Sequence, residues 1–113
     1  MTHLKIDYVE FATKDLPATQ AFLAKAFAWT FTDYGPDYQA FANAGLDGGI
    51  QGDPDHAGAL PLVILKADDL EAAEASVKAA GGTITHPIFS FPGGRRFHFR
   101  EPGGNELGVW SEK

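Results

Sequence analysis

The sequence predicts an α+β fold made of two βαβββ modules in one chain of 113 residues. An internal repeat is the first observation, because residues 13–26 (TKDLPATQAFLAKA) lie over residues 67–80 (ADDLEAAEASVKAA) at a constant offset of 54. Strand-like runs precede and follow each copy, and a polar segment (GDPDHAG, 52–58) separates the two. We therefore expect a single domain over 1–113, with modules at 1–52 and 59–113 and a linker at 53–58.

The first module begins with the strand-like run IDYVEF (6–11) and continues into a helix. Apolar and small residues recur at i, i+3, i+7 and i+10 on one helical face, namely Leu16, Thr19, Leu23 and Ala26. Asp15 stands where an N-cap is needed. Three further strand candidates follow: AWTFTDY (28–34), DYQAFAN (37–43) and LDGGIQG (46–52).

The second module repeats this order, starting with LPLVIL (60–65). The matching helical face carries Leu70, Ala73, Val77 and Ala80, with Asp69 as the N-cap. Gly81 and Gly82 mark the helix end, where a left-handed cap requires no Cβ. The remaining strand candidates are GTITHPIF (82–89), RRFHFRE (95–101) and NELGVW (105–110).

Composition excludes several classes of function. The net charge is −6, and the nine Lys and Arg residues form no basic stripe, so nucleic acid is not an expected partner. The absence of Cys excludes disulfides and thiolate zinc sites. The N-terminal residues MTHLKIDYVEF (1–11) contain no apolar run of the length of a signal peptide or a membrane span. We expect a soluble, cytoplasmic protein that does not bind membranes.

Three segments carry a resemblance to a known family: VEFATKDLPATQAFLAKAFAW (9–29), VILKADDLEAAEASVKAAGG (63–82) and GGRRFHFREPGGNELGVW (93–110). With the paired βαβββ plan, they resemble the vicinal oxygen chelate superfamily of glyoxalase I, bleomycin-resistance proteins and extradiol dioxygenases. The resemblance covers nearly the whole chain, and small glyoxalase-related bacterial proteins are the most similar. It implies curved mixed sheets around a cavity, with each helix on the convex side.

The resemblance also implies positions for a divalent metal, which active members hold with His and Glu or Gln. In this chain those positions fall on Tyr8, Leu62, Gly49 and Gly108. Leu and Gly offer no ligand atom, and a neutral Tyr is a poor ligand for these metals. Glu106, two residues from Gly108, faces the same side, but no second His or carboxylate stands at a matching family position. We therefore predict neither a metal nor another cofactor.

Strand alternation predicts a pocket instead. Phe97 and Phe99 alternate with basic residues, so the Phe side chains are expected under the helix, together with Leu107 and Val109. The opposite face would line a small-molecule pocket with Tyr8, Glu10, Arg96, His98, Glu106 and Trp110. Each of these also has a simpler interpretation, as a solvated base, a carboxylate paired with such a base, or a Trp at a dimer contact. His3, His56 and His86 are interpreted as surface residues.

Two functional hypotheses follow. The first is a module that binds a small organic molecule in a metal-free pocket, as the resistance proteins of the superfamily do. The alternative is a metal-independent lyase, isomerase or epimerase-like enzyme that uses His98 with Glu10 or Glu106. The lost ligand positions favour binding. A homodimer is expected from the resemblance and from the need to cover sheet edges, and a dimer without any small-molecule role is the third interpretation.

Overall fold

Residues 3–113 are described here from a computed structural model, and they form two helices and eight strands. The order of these elements is β1 (Lys5–Thr13), α1 (Leu16–Phe27), β2 (Thr30–Asp33), β3 (Tyr38–Ala42), β4 (Asp47–Gly52), β5 (Leu62–Lys66), α2 (Leu70–Ala79), β6 (Thr83–Phe91), β7 (Gly94–Arg100) and β8 (Glu106–Ser111). The predicted α+β fold of two βαβββ repeats is confirmed.

The chain divides into two compact units. The N-terminal unit is Tyr8–Leu62, and the C-terminal unit combines the residues up to Asp7 with Val63–Lys113. The division falls inside β1 and at the start of β5. The boundaries read from the sequence, 1–52 and 59–113, remain a prediction.

The N-terminal unit has the strand order β2-β3-β4-β1. β1 pairs with β4 in parallel, whereas β3 pairs with β2 and β4 in antiparallel fashion, so the sheet is mixed. Helix α1 supplies Leu16 to a core that also contains Phe41 and Ile50. Val9 and Phe11 pack against this core, as the alternation of β1 predicts.

The C-terminal unit repeats this arrangement with the order β5-β8-β7-β6. β5 and β8 are parallel, and β7 pairs with β8 and β6 in antiparallel fashion. Its core contains Leu70 and Ala73 from α2, and Phe97, Phe99 and Val109 from the sheet. The prediction that the two Phe side chains lie under the helix is therefore confirmed.

Both helices begin at the predicted caps. The Asp15 side chain accepts a hydrogen bond from the Ala18 N–H, and Asp69 accepts one from the Ala72 N–H, both at 3.0 Å. Each bond satisfies a backbone donor that has no partner inside the helix.

The predicted Gly end of α2 is also present. Gly81 adopts φ 99°, and the Gly82 N–H donates to the Val77 carbonyl at 2.8 Å. Together with the bond from the Gly81 N–H to Lys78, this is a Schellman motif, in which a left-handed residue allows the last carbonyls of the helix to be bonded.

No helix within residues 3–113 combines the length and the apolar character that a membrane crossing requires.

Candidate functional site

The predicted site residues lie in two groups, one in each unit. Tyr8 and Glu10 are on β1 in the N-terminal unit, whereas Arg96, His98, Glu106 and Trp110 are on β7 and β8 in the C-terminal unit.

The group in the N-terminal unit is organised by Tyr38, a residue that the sequence analysis did not select. Its hydroxyl lies 2.6 Å from the Tyr8 hydroxyl and donates a hydrogen bond of 3.0 Å to Glu10 Oε2. Burial raises the pKa of Tyr38 well above its ordinary value, and the neighbouring Glu10 carboxylate raises it further. Tyr38 is therefore neutral, and it holds both neighbours in place by donating to Glu10 and accepting from the Tyr8 hydroxyl.

Gly49 gives the Tyr38 ring its space. A Cβ added at Gly49 would stand 2.0 Å from the Tyr38 hydroxyl oxygen and 2.3 Å from Cζ. Gly49 is one of the positions at which the resemblance implies a metal ligand, and here a phenol fills the volume that a ligand side chain would need. The residues in this unit do not fit the inherited metal.

The group in the C-terminal unit is centred on Arg96 of β7. Its guanidinium carbon lies 5.9 Å from the ring centre of Phe89 and 5.7 Å from that of Phe91, both on β6. Its Nε donates to His98 Nε2 at 3.1 Å. Because two rings and one imidazole contact the guanidinium, its orientation is largely set before any ligand arrives.

Trp110 lies directly across from Arg96 in the pairing of β7 with β8. Its indole N–H donates to Asp7 Oδ2 at 2.9 Å, and the Lys66 ammonium lies 5.0 Å from the ring centre. The Phe91 ring meets it edge to face at 6.1 Å. The indole is thus held on three sides and extends the aromatic surface beside Arg96.

His86 contacts both His98 and Glu106, although the sequence pattern predicted only a surface residue at this position. The His86 side chain is 57% exposed, but its Nδ1 lies 3.5 Å from Glu106 Oε2, and its ring centre lies 4.7 Å from that of His98. Thr85 also contacts this carboxylate, donating to Glu106 Oε2 at 2.7 Å. Gly108, the second-module counterpart of Gly49, stands opposite His98, and an added Cβ would lie 3.3 Å from His98 Cδ2.

The missed residues Tyr38, His86, Phe89 and Phe91 share one property. The first three lie on predicted strands and Phe91 lies two residues beyond the predicted end of β6, but the role of each depends on which residue of the neighbouring strand it faces. Alternation within Tyr38–Ala42 places Tyr38 and Ala40 on one face of the strand. Without the pairing register of β3 and its neighbours, this is the only sequence pattern that points to Tyr38.

A separate cavity of about 320 Å³ lies on the helix-covered side of the C-terminal sheet. Its walls are mostly apolar and include Leu65, Val77, Phe99 and Pro102. None of the predicted site residues lines it. The polar sheet face around Arg96 is therefore the better candidate, because it has the convergent donors and acceptors that a specific site needs.

Comparison with known proteins agrees with this fold. The sequence model of the Glyoxalase/Bleomycin resistance protein/Dioxygenase superfamily matches residues 5–109. No curated protein matches the chain at a significant level.

Several solved structures are similar. A glyoxalase/bleomycin resistance protein/dioxygenase superfamily member from Vibrio splendidus 12B01 has a TM-score of 0.72 at 16% identity, covering 96% of this chain and 99% of that chain. The Mn(II)-bound glyoxalase from Novosphingobium aromaticivorans has a TM-score of 0.69 at 25% identity, covering 96% of this chain and 38% of that chain. Methylmalonyl-CoA epimerase from Mycobacterium tuberculosis has a TM-score of 0.71 at 13% identity, covering 94% of this chain and 86% of that chain. The likenesses to the Vibrio protein and to the epimerase show the fold alone.

Proposed function

Because the chain belongs to the glyoxalase/bleomycin resistance protein/dioxygenase superfamily, we propose that it binds a small organic acid on the polar sheet face of its C-terminal unit. The binding requires no metal at the positions that the superfamily resemblance implies. The observation that carries the proposal is the Arg96 guanidinium, held against Phe89 and Phe91 and hydrogen-bonded to His98.

A carboxylate is the group that this cation suits best. A guanidinium has five N–H donors in a planar fork, and the bond to His98 uses one of them. Two carboxylate oxygens match an edge of the fork, and such bidentate pairs are stronger than neutral hydrogen bonds. The contacts that already orient Arg96 lower the entropy cost of the pairing.

The apolar part of the ligand is suited to the aromatic surface around Arg96. Trp110 lies across from Arg96, and the Phe91 ring contacts the indole edge to face, with the ring centres 6.1 Å apart. Phe89 leaves 41% of its surface exposed, although aromatic side chains usually bury most of theirs. An aromatic or branched aliphatic acid would cover this ring while its carboxylate pairs with Arg96.

The enzymatic alternative has less support. A metal-independent lyase, isomerase or epimerase would use His98 with a carboxylate partner, yet the bond at His98 Nε2 comes from the Arg96 guanidinium. A guanidinium orients the imidazole but accepts no proton. For Tyr8 and Glu10, the contacts with Tyr38 support a structural role in the N-terminal unit, and their part in ligand binding remains a prediction.

The test is calorimetric titration with a matched pair of probes, benzoate and neutral benzamide. Benzoate is expected to bind and benzamide is not, because only the carboxylate pairs with Arg96. Arg96→Lys keeps the charge but loses the fork, so the affinity should fall about 10-fold or more, since charge-assisted hydrogen bonds contribute roughly 1.5–3 kcal/mol.

Arg100→Lys is the matched control, because Arg100 lies on the same strand and is exposed. It should bind benzoate like the unchanged protein. Equal affinity for the two probes, or an Arg96→Lys variant that binds as well as the control, would refute the proposal. Exchange of an α-proton of phenylacetate, incubated with the protein in D₂O in a separate experiment, would instead favour the enzymatic alternative.

We also propose that the protein is a homodimer. Large apolar side chains are exposed on α1 and in the segment before β5, with 62% for Phe22, 59% for Phe27 and 88% for Leu60. Such side chains are commonly covered by a second subunit. Light scattering coupled to gel filtration should give twice the chain mass of 12.1 kDa, and a mass of one chain would exclude the dimer.

A further inference from the structure

Three side chains that bind metals in other proteins converge on adjacent strands of the C-terminal unit. His86 is on β6, His98 on β7 and Glu106 on β8, and each offers one ligand atom such that all three atoms lie within 4.8 Å of one another. The pair His86 Nδ1 and Glu106 Oε2 is already at 3.5 Å. Two imidazole nitrogens and one carboxylate oxygen are the protein ligands of many open zinc sites.

A β-bulge produces this convergence. Ile84 pairs with Phe99 and His86 pairs with His98, so β6 advances by two residues while β7 advances by one. Consecutive residues of a regular strand point to opposite faces, yet Thr85 and His86 both contact Glu106. A bulge places two residues opposite one and re-aims their side chains, and bulges are frequent beside functional sites.

We propose that His86, His98 and Glu106 bind a divalent transition metal such as Zn²⁺, at a place different from Tyr8, Leu62, Gly49 and Gly108, where the superfamily resemblance implies ligands. Tetrahedral Zn²⁺ with bonds of about 2.0–2.1 Å holds its ligand atoms roughly 3.4 Å apart. The His86–Glu106 pair is already near this separation. Since no pair is more than 4.8 Å apart, the most distant pair must close by at most about 1.4 Å.

The surroundings of the three ligands fit a metal. Thr85 donates to Glu106 Oε2 at 2.7 Å, and hydrogen bonds of this kind orient metal-binding carboxylates. Gly108, directly opposite His98, leaves space above the imidazole that a side chain would narrow.

Arg96 affects metal binding at His98 in two opposing ways. Because its N–H donates to His98 Nε2, that nitrogen carries a lone pair, which is the form of imidazole that binds a metal. The same bond competes with a metal at Nε2, and removing Arg96 is therefore expected to leave metal affinity unchanged or increase it.

The inference goes beyond the proposed function, which requires no metal. The two are separable because His86 and Glu106 are not needed to pair an organic acid with Arg96. A variant that loses metal should keep benzoate binding, and Arg96→Lys should lose benzoate affinity and keep the metal.

The experiment is competition between the tag-free protein and a chromophoric chelator for Zn²⁺, with the visible absorption of Co²⁺ as a second readout. About one equivalent of Zn²⁺ per chain is expected, and Co²⁺ should give the intense bands of a site with four or five ligands. His86→Ala and Glu106→Gln should each weaken Zn²⁺ binding 10-fold or more. Thr85→Val should weaken it less, because it removes only the bond that orients the carboxylate.

His56→Ala is the matched control, since His56 is an exposed imidazole 2.7 Å from the Asp53 carboxylate in the linker. It should bind Zn²⁺ like the unchanged protein. His86 is exposed, so His86→Ala is expected to fold, which thermal unfolding of the metal-free variants checks. The proposal is overturned if the unchanged protein binds no stoichiometric Zn²⁺, or if His86→Ala binds as tightly as His56→Ala.

Discussion

Replacing Gly49 by Ala tests whether the half-buried phenol of Tyr38 occupies the position of a superfamily metal ligand. The new Cβ would stand 2.0 Å from the Tyr38 hydroxyl oxygen and 2.3 Å from Cζ, whereas carbon atoms in contact are normally about 3.5–4.0 Å apart. Either the strand or the Tyr38 side chain must therefore move by more than 1 Å, judged against that normal spacing.

The expected loss of stability can be estimated from the hydrogen bonds that Tyr38 would lose. Its hydroxyl bonds both the Tyr8 hydroxyl and the Glu10 carboxylate. A neutral hydrogen bond contributes about 0.5–1.5 kcal/mol and one to a charged group about 1.5–3 kcal/mol. If Tyr38 stays and the strand shifts, overpacking costs about 1–3 kcal/mol. We expect Gly49→Ala to lower the free energy of unfolding by about 2–4 kcal/mol.

Urea unfolding followed by fluorescence measures this change, and β4 provides its own control. At Gly52 the nearest atoms to an added Cβ are 3.7 Å away, so Gly52→Ala should be neutral or stabilise by about 0.4–1 kcal/mol through the unfolded state. The Gly49→Ala cost should largely disappear when Tyr38 is also changed to Ala. Equal stability of the two single Ala variants, within about 0.5 kcal/mol, would refute the clash with Tyr38.

Three further predictions concern the C-terminal unit. Asp69→Ala removes the side-chain acceptor of the Ala72 N–H at the start of α2, so the free energy of unfolding should fall by about 1 kcal/mol. Phe97→Ala empties a fully buried site, with 0% exposure, and should cost about 3–5 kcal/mol in the same urea assay. The hydrogen bonds from Arg95 hold the pKa of Glu71 below its usual range, so an NMR titration of Glu71 should move to higher pH in Arg95→Gln. Because the pKa of Glu71 is lowered by folding, this pair stabilises the protein above the unfolded pKa of about 4.3 and ceases to do so as the pH falls through the folded pKa.

Matched changes serve as controls for these predictions. Asp68→Ala lies beside the cap but outside the helix, so it should leave stability nearly unchanged, and a loss equal to that of Asp69→Ala would contradict the cap assignment. Phe89→Ala removes a 41% exposed ring and should cost clearly less than Phe97→Ala. An unchanged Glu71 titration in Arg95→Gln would show that the guanidinium is not the cause of the shift.

Much of the fold could be predicted from the sequence because its signals are local. The N-caps at Asp15 and Asp69 depend on residues within one turn, and the cap bonds occur where they are expected. The burial of Phe97 and Phe99 follows from the two-residue period of a strand, with no knowledge of its neighbours. The same period placed Arg96 and His98 on one face, where a hydrogen bond now joins them.

The composition of the candidate site could be predicted only in part. Tyr38 was missed because its partners Tyr8 and Glu10 are 30 and 28 residues away in sequence. His86 was assigned to the surface because it precedes Pro87, and its side chain is indeed 57% exposed. Its contact with Glu106 could not be predicted, because the register shift beside it appears only in the pairing with β7.

Local signals in the sequence were enough to predict the two βαβββ repeats, the helix ends and the side of each sheet that enters a core, because these depend on periodicity and capping over a few residues. Three contacts appear only in the folded chain: a phenol fills the space beside Gly49, Phe89 and Phe91 flank Arg96, and His86 lies next to Glu106. Those contacts depend on strand register and on two extra residues in β6, and register is set by the pairing of strands that are distant in the chain.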